Sequence, residues 1–165
     1  MKKMIVSVFL LVLLLTGCNS NSERDDISKA IGIDVSEGIE TFRYDSGSSF
    51  HGDGTFCIGL KFENDKILEA ISNDERWDSF PLDDITQVLV YGKTFETESE
   101  IRVEGPYLTG ENGNALLPEI NNGHYRLIDR QEDDGRDILS RESMNFTLMI
   151  YDEENKTLYY CEMDT

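Results

Sequence analysis

Met144-Asn145-Phe146-Thr147-Leu148-Met149-Ile150-Tyr151-Asp152-Glu153-Glu154-Asn155-Lys156-Thr157-Leu158-Tyr159-Tyr160-Cys161-Glu162-Met163 is the stretch that decides the fold. Successive side chains of a strand point to opposite faces, so Phe146, Leu148 and Ile150 share one face here. Asp152 to Lys156 is a polar turn, and Thr157 to Met163 returns with β-branched and aromatic residues. The pattern predicts a tight antiparallel hairpin in which Tyr159, Cys161 and Met163 lie on the face of Phe146, Leu148 and Ile150.

Outward from that hairpin, His124–Arg130 reads as a further strand and Gln131–Glu142 as a charged, exposed connection. Gly38–Asp45 and Thr55–Phe62 read as two strands of a second hairpin, joined by the Gly/Ser-rich Ser46–Gly54. Within that connection Gly52 and Gly54 flank Asp53, so an ordered turn is expected, with Phe50 docked on the sheet and His51 at the exposed tip. A short helix is expected over Asp26–Ile33. A second would be capped by Asn64 and carry Ile67, Leu68 and Ile71. Pro81 opens an amphipathic stretch with Asp83 and Asp84 in its first turn, Ile85, Val88 and Leu89 inward, and Gly92 as a stop. Thr86–Tyr91 is β-branched enough for a strand, so residues 83–91 stay open between the two, with helix favoured. Lys93–Gly123 reads as an irregular excursion holding a short strand at Glu100–Val103. Strands and helices do not alternate strictly, which disfavours a doubly wound parallel sheet. The expected fold is α+β over residues 27–165: one domain, an antiparallel sheet of about five strands, with two or three helices packed on one face.

The first residues carry a separate signal. Met1-Lys2-Lys3 is basic, Met4 to Leu15 is apolar apart from Ser7, and Leu15-Thr16-Gly17-Cys18 follows. That apolar run is too short to span a hydrocarbon core of about 30 Å, and the order of regions is that of a signal peptide. It resembles the bacterial lipoprotein precursors, whose lipobox reads Leu-(Ala/Ser/Thr)-(Gly/Ala)-Cys. The resemblance implies a signal peptide over 1–17, diacylglycerol on the Cys18 thiol and cleavage before Cys18. It also implies an extracytoplasmic protein held to the cell membrane. Residues 18–26 then comprise the lipidated Cys18 and a polar stretch, Asn19–Asp26, that reads as a tether. Phe50-His51-Gly52-Asp53-Gly54 and the C-terminal strands are similar to small lipoproteins of Firmicutes, a likeness that supplies no activity and no site.

Thirty-three acids against 15 bases give a net charge of −18. Such a field repels phosphate backbones, which excludes a nucleic-acid partner, and repels anionic headgroups, so the lipid alone would hold the chain to the membrane. A basic protein is the partner this charge favours. With Cys18 lipidated, Cys57 and Cys161 remain in a compartment that permits disulfides. Strand phase counts against their pairing: Phe56, Ile58, Leu60 and Phe62 form the apolar face, which puts Cys57 on the other side.

Candidates for chemistry are few. Gly92-Lys93-Thr94 has the tail of a phosphate-binding loop, but position 87 is Gln where that motif needs Gly. Ser48, Ser49, His51 and Asp53 lie close in sequence without the strained turn that presents a nucleophilic serine. His51 and Asp53 with His124 could ligate zinc. Asp129, Asp133 and Asp137 are weak calcium candidates, because Gln131 and Asp134 break the EF-hand spacing. Trp77, Phe80, Tyr91, Phe95 and Tyr107 either line a groove for a peptide or sugar or, the favoured reading, anchor core and loops. The sequence reading is a lipid-anchored, non-enzymatic interaction module that needs no cofactor, an immunity-type inhibitor being one version, with Phe50, His51 and Asp53 as its binding surface. The alternative is a small hydrolase or metal-dependent enzyme centred on His51 and Asp53. Cys18→Ala is expected to abolish incorporation of a labelled fatty acid; a variant that still carries the label contradicts the lipobox reading.

Overall fold

In the computed structural model, which describes residues 19–47, 53–96, 100–131 and 135–165 (backbone alone for 19–22), the C-terminal hairpin is the centre of a six-stranded antiparallel sheet. Its strands are β1 (Ile39–Asp45), β2 (Gly54–Lys61), β3 (Asp78–Ser79), β6 (Gly123–Asp129), β7 (Phe146–Asp152) and β8 (Thr157–Asp164). A separate two-stranded sheet joins β4 (Lys93–Glu96) to β5 (Ile101–Glu104). The helices are α1 (Asn19–Ile31), α2 (Lys66–Ser72) and α3 (Asp84–Tyr91), with a 3-10 turn at Ile138–Ser140. The class is α+β, as expected; the large sheet has one strand more than expected, in the order β1-β2-β8-β7-β6-β3. Among the described residues no helix is long and apolar enough to cross a membrane.

The described residues fall into two compact units, one ending at Gly38 and the other running from Ile39 to Thr165. In the first, α1 covers Asn19–Ile31, so the stretch read as a tether is helical. The chain folds back after Gly32, with the Val35 N–H donating to Ser28 Oγ (3.1 Å) and Arg24 to the Ser36 carbonyl (3.2 Å). Ile27, Ile31 and Val35 are buried.

The second unit holds every strand. Residues 83–91 are helix, for local reasons. Asp83 has extended backbone and accepts from the Thr86 N–H at 2.7 Å, an N-cap, while Asp84 sits in the first turn beside the unpaired N–H groups. Gly92 ends the helix at φ +75°, where a side chain would be strained. At α2 the cap position is Asp65, not the expected Asn64, whose side chain accepts instead from the Lys66 N–H at 3.1 Å. Asp65 turns outward to Lys156, 2.7 Å away.

Both faces of the middle of the large sheet, β2, β8 and β7, are covered. On one, Tyr44, Cys57, Cys161, Leu148 and Leu127 lie side by side across five strands by register. Leu89 and Val90 of α3, Leu108, Leu117, Ile120, Ile138 and Met144 belong to that same core. On the other, Ile58, Leu60, Leu158, Tyr160, Met149 and Tyr151 are buried. Ser72 at the end of α2 meets His124 on this second face, so α2 and α3 stand on opposite sides of the sheet rather than together.

That two-sided burial corrects the reading of the cysteines. The phase argument took the alternate positions of β2 as a solvent face, yet Cys57 is wholly buried. Gly59, two residues on, lies between Phe42 and Tyr159, whose rings meet edge to face at 6.4 Å; a Cβ at Gly59 would stand 3.1 Å from Phe42 Cβ. Cys57 is directly opposite Cys161 in the β2–β8 register, and the two form a disulfide. The bridge closes a sequence separation of 104 residues, for which loop-closure entropy gives several kcal/mol. Cys57→Ala with Cys161→Ala is expected to lower unfolding free energy by about 3 kcal/mol. Denaturant melts with and without reductant check this, and an unchanged midpoint contradicts it.

Candidate functional site

Among the described residues the most exposed aliphatic side chains of the second unit, Ile101 and Val103, lie on the β4–β5 arm. Its base is set by two glycines. Gly92 follows α3 and precedes β4, while Gly105, at φ +67°, follows β5. A Cβ on Gly105 would lie 2.1 Å from the Val88 carbonyl oxygen, and one on Gly92 2.8 Å from Pro106 N. The two backbones therefore pass each other at a distance only glycine permits. Beyond Gly105 the excursion is anchored to α3. Tyr107 and Leu108 N–H groups both donate to the Leu89 carbonyl, at 3.0 and 2.9 Å. Tyr91 OH donates to the Pro118 carbonyl (2.7 Å) and accepts from the Ile120 N–H (3.1 Å). Burial pushes the Tyr91 hydroxyl up to about 12, against the lowering effect of the Ile120 N–H.

The arm itself is exposed. By register Ile101 and Val103 share a face with Thr94 and Glu96, and each is 70% exposed. The opposite face carries Lys93, Phe95, Arg102 and Glu104. There Lys93 Nζ lies 5.3 Å from the centre of the Phe95 ring and 2.6 Å from Asp84, and Arg102 lies 3.0 Å from Glu104. Phe95, Glu100, Arg102 and Glu104 line a shallow hollow of about 310 Å³. Among the described residues no third strand pairs with β4 or β5, so both edges are open. Two strands alone are marginal in water.

A second grouping surrounds His124. Ser79, its partner across the β3–β6 pair, has Oγ 3.4 Å from Nδ1. Ser72 Oγ and Glu153 Oε1 lie 3.5 and 3.3 Å from Nε2, and Asn122 Nδ2 donates to Glu153 Oε2 at 3.2 Å. The order hydroxyl, imidazole, carboxylate is that of a nucleophile with its base. Here, however, one ring serves two hydroxyls and a carboxylate from three other segments. The arrangement joins the end of α2, β3, β6 and the β7–β8 turn.

The sequence candidates fare unevenly. Cys18, Ser48, Ser49, Phe50, His51 and Asp133 lie outside the described residues. Asp53 is exposed just before β2. Asp129 lies 2.5 Å from Arg141 and accepts from the Gln131 N–H, while Asp137 caps the 3-10 turn by accepting from the Leu139 N–H at 2.8 Å. Both carboxylates thus have protein partners. Among the described residues no group of three or more His, Cys, Asp or Glu could hold a metal ion. The five aromatics do not form one groove: Trp77 is buried, Phe80 meets Tyr125 edge to face at 6.0 Å, Tyr91 and Tyr107 anchor the excursion, and Phe95 alone is on the arm. Sequence reasoning found β5 and missed its partner β4, because Lys93-Thr94-Phe95-Glu96 has a single apolar residue and lacks the apolar–polar alternation of Ile101-Arg102-Val103-Glu104. Compared with known proteins, the chain matches no family model, no curated protein and no solved structure.

Gly105→Ala is expected to cost about 2 kcal/mol or more, since it combines a positive φ with a backbone clash. Gly47→Ala shares the positive φ but has open space around it, and is expected to cost about 1 kcal/mol. Denaturation of the two variants checks the order; equal costs would contradict the close approach at the base of the arm.

Proposed function

We propose that this chain is a lipid-anchored protein of the extracytoplasmic face of the cell membrane and acts as a non-enzymatic interaction module for a basic protein. The anchor rests on Leu15-Thr16-Gly17-Cys18 and the apolar run before it. The observation that carries the partner's chemistry is how the cations are used. Lys29, Arg43, Arg76, Lys93, Arg102, Arg130, Arg141 and Lys156 each lie 2.5 to 3.0 Å from a carboxylate of the same chain. The 33 acids outnumber the 15 bases, so after this internal pairing the field that reaches solvent is that of the surplus carboxylates. A field of one sign speeds encounter with the opposite sign and suppresses like-charged partners. The exposed aliphatic strip of the arm gives such an encounter an apolar contact to settle on.

The test uses the full chain in detergent, immobilised and exposed to a membrane fraction. A basic protein retained at low ionic strength and released at high salt is the expected result. Retention of nothing at low salt, or of partners whose binding ignores salt, overturns the proposal.

A further inference from the structure

We infer that Arg126, with Trp77 beside it, binds a small oxyanion, a carboxylate or phosphate group, at the β3 edge of the large sheet. This goes beyond the interaction-module reading and does not depend on it. Arg126 lies on β6 opposite Met149, on the sheet face that also carries His124. The β3–β6 register sets Ser79 opposite His124 and Asp78 opposite Tyr125. Continued by one residue, it brings Trp77 opposite Arg126. The turn before β3 lies against the same guanidinium, since Arg76 and Asp74 are the charges that act on Arg126.

Two donors in this place lack acceptors. Arg126 Nη1 and Trp77 Nε1 are both buried with no hydrogen-bond partner, and Trp77 as a whole is 7% exposed. A buried donor left unmet costs free energy, more so when it is charged. The chain answers that demand elsewhere. Arg43, Arg102, Arg130 and Arg141 each have a carboxylate within 3.0 Å, whereas Arg126 forms no salt bridge among the described residues. The nearby carboxylate is already committed. Asp74 accepts from Arg76 Nε at 2.8 and 3.0 Å and from Arg76 Nη2 at 2.5 Å. Two guanidiniums therefore share one carboxylate, and the unmatched positive charge is on Arg126.

These groups specify the ligand. It carries negative charge, and it accepts from a guanidinium and an indole, which are donors only. An oxyanion meets both conditions, because a planar carboxylate or a phosphate face matches the guanidinium fork. Arg76, whose side chain is 51% exposed, leaves the place open to solvent. The chain's net charge of −18 opposes an approaching anion, so local donors must provide the binding.

Trp77 is the single tryptophan of the chain, so its fluorescence reports on this place directly. The experiment titrates the full chain in detergent with sodium acetate and, separately, with sodium phosphate, at an ionic strength held constant with sodium chloride. The expected result is a saturable change with a Kd on the order of 1 mM. A response to acetate assigns a carboxylate ligand, and tighter binding of phosphate assigns a phosphoryl group. Arg126→Gln should weaken binding about tenfold or more. Asp74→Asn removes the competing carboxylate and should tighten binding. Arg43→Gln, at a cation already paired with Glu40, should change nothing. Circular dichroism verifies that the variants keep the fold. No saturable response to either anion overturns the inference, water alone then meeting these donors. A response that Arg126→Gln and Asp74→Asn both leave unchanged overturns it as well.

Discussion

Strand Phe146–Asp152 is buried at all seven positions, so it needs a layer on each of its faces, and the second unit is arranged around that demand. Thr157–Asp164 returns beside it and pairs on its other side with Gly54–Lys61, which places three consecutive strands in the middle of the sheet. Leu148 and Ile150 face the core that includes Leu89 and Val90 of α3 and the excursion through Leu108, Leu117 and Ile120. Met149 and Tyr151 face the side where α2 is held at its ends, Asp65 on Lys156 and Ser72 on His124. Each aliphatic side chain so buried contributes on the order of 1.5–3 kcal/mol, and the Cys57–Cys161 bridge adds a covalent tie between β2 and β8.

The same accounting sets the arm apart. Ile101 and Val103 forgo that burial, on a sheet of two four-residue strands. The body up to the arm's base is nonetheless fixed: Gly92 and Gly105 pack against each other's backbone, and Tyr91 holds the excursion on both sides of its hydroxyl. A rigid base beneath an uncovered, alternating strand is the geometry by which scaffolds present recognition elements. In the proposed reading, the chain's surplus of carboxylates favours a cationic partner.

Much of the fold was legible because local and tertiary preferences agree. The alternation of Phe146–Tyr151, the turn at Asp152–Lys156 and the run from Thr55 gave strands within a residue or two of where they lie. Gly92 marked the end of α3, while its start lies at Asp84 with Asp83 as the cap rather than at Pro81. Where reading failed, a tertiary fact overrode a local rule. Cys57 alternates with the apolar Phe56 and Ile58, and phase assigns it to solvent only if one face of β2 is wet; here Cys57 and Ile58, on opposite faces, are both buried. Asp78–Ser79 is too short to carry a period and is a strand only because Tyr125 and His124 lie opposite. The candidate site was half visible. A short strand at Glu100–Val103 was read, but Lys93–Glu96 carries no apolar alternation to mark it, and no local pattern says that the hairpin made by the two would stay exposed. The acidic surface was legible from composition, the internal pairing of its cations was not.

Amide hydrogen exchange on the isolated full chain tests the central claim most directly, that a sheet covered on both faces carries an arm with nothing over it. Buried, fully paired strands open only with the global fold, whereas a two-stranded sheet opens locally. The account predicts slowest exchange in Phe146–Asp152 and Thr157–Asp164, and fast exchange in Lys93–Glu96 and Ile101–Glu104. Protection of Ile101–Glu104 equal to that of Phe146–Asp152 in the isolated chain would contradict it.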